Sequence, residues 1–194
     1  MAAADIQTLL QNADALAGRG AFAAAEAEYA RARALAPGDL TATLGHGHVL
    51  RVLGRPGEAR AIFAAAAAQQ PATIELQHGL ALAAQEAGDP AAAETAWRTV
   101  LQMQPGALTA LLGLGEALNQ LQRPGEALEI LAPLDPRDPQ ARASLELVRG
   151  VSHLLRHDHE LAVAHFDRVL EIIPGYPPAA QARAVALQQL DRTT

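Results

Sequence analysis

The chain has 194 residues, carries 21 acidic against 15 basic side chains for a net charge of −6, and is half apolar. All fifteen basic residues are arginine, which excludes a lysine-dependent phosphate loop or Schiff base, and the lack of cysteine excludes disulfides, thiol nucleophiles and thiolate metal sites. An acidic chain with no basic cluster is a poor nucleic-acid binder, and an alanine content of about a quarter with 3% aromatics favours closely packed helices.

The start, from Met1 to Gln7, has no positive segment followed by an apolar run, so it does not read as a secretory signal. No stretch reaches the ~20 apolar residues that a membrane span needs. The alanine run 61–68 is of helix-core length and is closed by Gln69, Gln70 and Pro71. The expectation is a soluble, cytoplasmic chain, either whole or the first module of a longer one.

In chain order, the pattern predicts helices over 5–18 and 22–35, then 41–53 and 56–70, then 74–87 and 90–104. Gly20, Gly54 and Gly88 fall where the first helix of each pair must end, and glycine tolerates the left-handed backbone there. Pro56, Pro90 and Pro124 open second helices, where a missing N–H costs nothing. The fourth pair, 107–121 and 124–132, is irregular: Pro133, Pro136 and Pro139 crowd its end, so its second helix should be short and followed by an extended turn. In the fourth and fifth pairs Gln122 and His157 replace the turn glycine, so those turns should be less tight. Helices over 141–156, 159–172 and 177–190 complete the chain.

The elements repeat. Prolines recur 34 residues apart at Pro37, Pro71, Pro105 and Pro139, and again at Pro174. Twelve residues before them stand Ala25, Ala59, Ala93, Ala127 and Ala162; eight before them stand Tyr29, Phe63, Trp97, Leu131 and Phe166. Gly47, Gly115 and Gly150 keep a further phase. A small residue beside a large one lets two helices approach and fills the space between them. This pattern resembles the tetratricopeptide repeat, a helix–turn–helix unit of the same length, over 6–174. The resemblance implies an all-α, right-handed solenoid of five repeats (6–39, 40–73, 74–107, 108–142 and 143–176) with a capping helix over 177–191. Gln181, Arg183, Gln188, Gln189 and Asp191 suit the polar outer face of such a cap.

Family geometry also implies a concave groove lined by the first helices. Carried onto this chain, it gives Leu10, Asp14, Leu44, His48, Arg51, His78, Leu82, Gln85, Leu112, Glu116, Asn119, Leu147 and Val151 as groove residues. Leucine repeats at one phase (Leu10, Leu44, Leu112, Leu147), interrupted by His78, and forms an apolar stripe dotted with carboxylates and amides. Such a stripe either binds a partner or packs partly against neighbouring repeats. Leu154 and Leu155 are expected to pack under the last helix. The family's clamp for acidic peptide tails needs cations at phases that here hold Leu10, Asp14, His48, Glu75 and Gly79, with Arg51 the one fixed positive charge. The implied partner is therefore a protein or peptide segment with apolar anchors and some basic residues.

Other chemistry is weaker. His153, His157, Asp158 and His159 form the densest run of metal-ligand types, but turn and surface histidines account for it equally, and neither a metal nor a cofactor is assigned. His165 is placed on the surface of a second helix. Gly45-His46-Gly47 and Gly113-Leu114-Gly115 fall inside helices, so they read as close packing and not as dinucleotide loops. The leading expectation is a non-catalytic protein–protein interaction scaffold. The alternatives are the N-terminal, partner-presenting module of a bacterial sulfotransferase, glycosyltransferase or hydroxylase, and a self-assembling homo-oligomer.

Overall fold

The computed structural model describes residues 2–192, and side chains from residue 5 onward. Eleven helices and no strand occur among the described residues: α1 Ala2–Gly18, α2 Phe22–Leu35, α3 Leu40–Val52, α4 Pro56–Gln69, α5 Ile74–Glu86, α6 Pro90–Met103, α7 Leu108–Gln120, α8 Pro124–Leu131, α9 Pro139–Leu155, α10 His159–Ile172 and α11 Pro177–Asp191. Among those residues no helix is long and apolar enough to cross a membrane. The chain divides into two compact units, one ending at Pro105 and holding α1 to α6, the other starting at Gly106 and holding α7 to α11.

Local signals set the helix starts. Asp39, Asp89 and Asp138 accept hydrogen bonds from the backbone N–H groups of Ala42, Ala92 and Ala141, at 2.7, 3.0 and 2.7 Å. Proline occupies the first turn of α4, α6, α8, α9 and α11.

Packing within each unit follows the small–large pattern. Ala25, Ala59, Ala93, Ala127 and Ala162 are fully buried, and so are Trp97, Leu131 and Phe166. In the first unit the Phe63 ring of α4 lies between Gly47 of α3 and Gly79 of α5. A Cβ on Gly79 would come 2.7 Å from that ring, and one on Gly45 would collide with the Tyr29 ring. In the second unit the Phe166 ring lies against Gly150, where a Cβ would come within 2.6 Å. Filling any of these sites with a side chain costs about 1–3 kcal/mol by overpacking. Gly45, Gly47, Gly79 and Gly150 are therefore packing devices in two phases: Gly47 and Gly150 face the large residue of their own pair, Gly45 and Gly79 that of the preceding pair.

The fourth pair is cut short as expected: α8 has 8 residues and stops before Pro133. The carbonyls freed there are collected by Arg149 of α9, whose Nη2 donates to the backbone oxygens of Leu131 at 2.7 Å and Leu134 at 3.0 Å. A long cation thus replaces the missing helical turn.

The turns that lack glycine differ from expectation. Gln122 and His157 adopt φ of 59° and 63°, beside 71° and 72° at Gly54 and Gly88. Their closing bonds, Arg123 N to Leu118 O and Asp158 N to His153 O at 2.9 Å, equal the 2.9 Å of Arg55 N to Leu50 O and Asp89 N to Ala84 O. The turns are equally tight, because the hydrogen-bonded motif dictates the geometry and the cost appears as left-handed strain on a side chain with a Cβ. Gln122→Gly and His157→Gly should each raise stability by about 1 kcal/mol. Thermal melting should show gains of about 2–4 °C per substitution, and a fall in melting temperature would contradict the strain.

Candidate functional site

The first helices of each unit present the residues marked out by the sequence. In the first unit Leu10 of α1 and Leu44 of α3 are half-buried: Leu10 packs on the cluster of Ala13, Ala25, Tyr29 and Val49, and Leu44 on that of Leu50, Phe63 and Leu76. Asp14 is exposed but accepts a hydrogen bond from the Tyr29 hydroxyl. Burial raises the Tyr29 pKa, and the Asp14 carboxylate raises it further. His48 is exposed and Leu82 half-buried.

Arg51, His78 and Gln85 are brought into one polar group. The Arg51 guanidinium binds both carboxylate oxygens of Glu86, at 2.8 and 2.6 Å, and so ties α3 to α5. The His78 ring stands edge-on to buried Trp97 at 5.1 Å. Gln85 accepts from the Trp97 indole N–H at 2.7 Å. Burial lowers the His78 pKa, and the Arg51 charge adds to the shift, so its ring is neutral at pH 7.

In the second unit Leu112 packs on the cluster of Leu131, Leu145 and Val148. Glu116, Asn119, Leu147 and Val151 converge. With Gln120, Val148 and Leu155 they line an open pocket of about 340 Å³ between α7 and α9. Its floor is apolar and comes from α9; its rim is a carboxylate and two amides from α7. Asn119 is buried and bridges the two helices: its amide donates to Val148 O at 3.3 Å and its oxygen accepts from the Ser152 hydroxyl at 2.9 Å. Val148 was missed in the sequence reading, although 147, 148, 151 and 155 follow a helical period. Leu154 packs with Ala162, Phe166 and Ala186 under α11, whereas Leu155 lines the pocket.

Among the described residues, those of the histidine-rich turn included, no three His, Cys, Asp or Glu side chains are placed to hold an ion. His153 turns back to Asp158 at 3.3 Å and stacks on His165, with ring centres 5.1 Å apart. His157 and His159 meet edge to face at 5.8 Å. His165 is not on the surface, as expected from its phase, but tucked against α9, where its Nδ1 lies 2.7 Å from the Glu146 carboxylate. Glu146 also accepts from Arg168 at 3.1 Å and Arg149 at 3.3 Å, and so joins α9 to α10.

A sequence profile described as tetratricopeptide repeat matches residues 10–72 and 78–142. No curated protein sequence matches the chain. Among solved structures, a tetratricopeptide repeat protein from Parabacteroides merdae superposes with a TM-score of 0.81 at 18% identity, covering 97% of this chain and 74% of that one. YrrB, described as a TPR protein with an unusual peptide-binding site, gives 0.72 at 23% identity over 91% of this chain and 90% of its own. MamA gives 0.73 at 18% identity over 87% of this chain and 91% of its own. At these identities the likeness establishes the fold, an all-α solenoid of helical hairpins.

Acidification should destabilise the second unit in two steps. Burial lowers the His165 pKa more than Glu146 raises it, so its contribution is complete above the ordinary 6.5 and is lost as pH falls below that. Burial would raise the Glu146 pKa, but its hydrogen bonds from His165 and Arg168 hold it below the ordinary 4.5; that contribution is lost as pH falls below that value. Melting temperatures measured against pH should fall across both ranges. The lower fall should shrink in Glu146→Gln, and an unchanged profile there would contradict the assignment.

Proposed function

Because the chain belongs to the tetratricopeptide repeat family, we propose that it is a non-catalytic interaction scaffold that holds a peptide or helical segment of a partner protein against the faces of its first helices. The observation that carries this reading is the pocket between α7 and α9, where four of the groove residues named from the sequence meet beside an apolar floor. A volume of about 340 Å³ accommodates one or two large apolar side chains, and burying one contributes about 1.5–3 kcal/mol. Glu116 on the rim and the net charge of −6 favour a basic residue next to that anchor and disfavour an acidic one. The first unit adds half-buried Leu44 and Leu82, exposed His48 and the paired Arg51. The Arg51 charge is already answered by Glu86, which fits poorly with capture of an acidic tail. YrrB, with its peptide-binding site, has the same fold.

Selection of a random peptide library against the chain should enrich sequences that pair a Leu, Ile, Met or Phe anchor with Arg or Lys. Leu155→Gln should weaken the selected peptides about tenfold without lowering the melting temperature, and Glu116→Arg should remove the basic preference. Enrichment of acidic peptides, or binding indifferent to both substitutions, would contradict the proposal.

A further inference from the structure

Away from the pocket, His46 of α3 is buried, with 6% of its surface exposed, between two residues of α2. Its Nδ1 lies 3.1 Å from Nη1 of Arg33 and its Nε2 lies 3.2 Å from Oε1 of Glu26. A guanidinium can only donate, so Nδ1 must carry a lone pair, and the ring hydrogen sits on Nε2 and is donated to Glu26. The partners therefore dictate both the tautomer and the neutral state. Arg55, from the turn after α3, reaches the same carboxylate at 3.9 Å. Arg33 is half-buried, and its Nε is enclosed without a hydrogen-bond partner. The charged groups that act on the ring are Glu26 and Arg33 from α2, Arg55 from the turn and Glu58 from α4; among the described residues, α1 and α5 bring none.

We propose that His46 is a proton-operated latch that holds the first helical hairpin, α1 with α2, onto α3 while its ring is neutral. A proton on Nδ1 removes the acceptor Arg33 uses and sets N–H against N–H between two cations 3.1 Å apart. Glu26 attracts the charged ring more than the neutral one and so opposes this, but it also answers Arg55, and burial of the ring outweighs it. With the ring enclosed, the repulsion is relieved by moving α2 off α3. That movement uncovers the apolar cluster of Leu9, Ala32 and Ala42 and withdraws the Tyr29 ring from Gly45. Burial, reinforced by Arg33 and Arg55 and opposed by Glu26, makes the closed ring reluctant to take the proton. Opening and protonation are therefore linked.

Hydrogen exchange of the full chain, corrected for the intrinsic effect of pH, tests the latch. An opened ring titrates near the ordinary 6.5, so opening of α1 and α2 should rise between about pH 7.5 and about pH 5.5, by at most about tenfold. His46→Asn keeps a side-chain acceptor for Arg33 that takes no proton, and the pH dependence in α1 and α2 should vanish. Equal protection of the wild-type hairpin at both pH values, or pH dependence that survives His46→Asn, would overturn the proposal. Should that variant not fold, imidazole proton NMR of the wild type decides. A His46 ring titrating below 6.5 supports the latch, and one titrating above it overturns it.

Discussion

The bulky side chains of the second helices are buried where the first helices beside them carry small residues at the point of approach. Phe63 meets this constraint in full, with Gly47 on one side and Gly79 on the other. Tyr29 meets it against Gly45 and Phe166 against Gly150. Within each unit, close approach lets a chain poor in aromatics build its core largely from alanine, since small residues at the crossing let one ring touch two helices. Each hairpin therefore depends on its neighbour for burial, as expected of an array in which no single repeat encloses its own core.

The same constraint shapes the proposed binding surface. With alanine, glycine and the rings committed to the interior, the proposed recognition falls to first-helix residues at the edge of the core. Leu10, Leu44, Leu112 and Leu147 are half-buried: one side supports a cluster and the other remains available. Asn119 shows how closely support and surface are joined, since one amide fastens α7 to α9 and lines the pocket between them. A surface supported in this way is preorganised, which would limit the ordering cost of the proposed binding.

Much of this was legible in the sequence because helix phase is local information. The 34-residue step and the prolines placed the helix ends among the described residues within three residues. The second glycine phase, Gly45 and Gly79, was written in the same step, but Gly45 reads from sequence as generic packing and Gly79 only as a clamp position without a cation, because the partner ring lies in the preceding repeat. Long polar side chains were illegible for a different reason. Whether Arg149 reaches the carbonyls behind α8, or His165 turns inward to Glu146, depends on rotamers that periodicity does not encode. The turns at Gln122 and His157 were misjudged because residue preference indicates the cost of a left-handed backbone, not whether tertiary packing will impose it.

A double-mutant cycle between Phe63 and Gly79 tests the central constraint most directly. Gly79→Ala should destabilise the chain by about 1–3 kcal/mol beside Phe63. Next to Phe63→Leu, which leaves room for the new methyl group, that loss should largely disappear, leaving a coupling energy above about 1 kcal/mol. Strictly additive effects would mean that the ring and the missing side chain are independent, and would contradict the account.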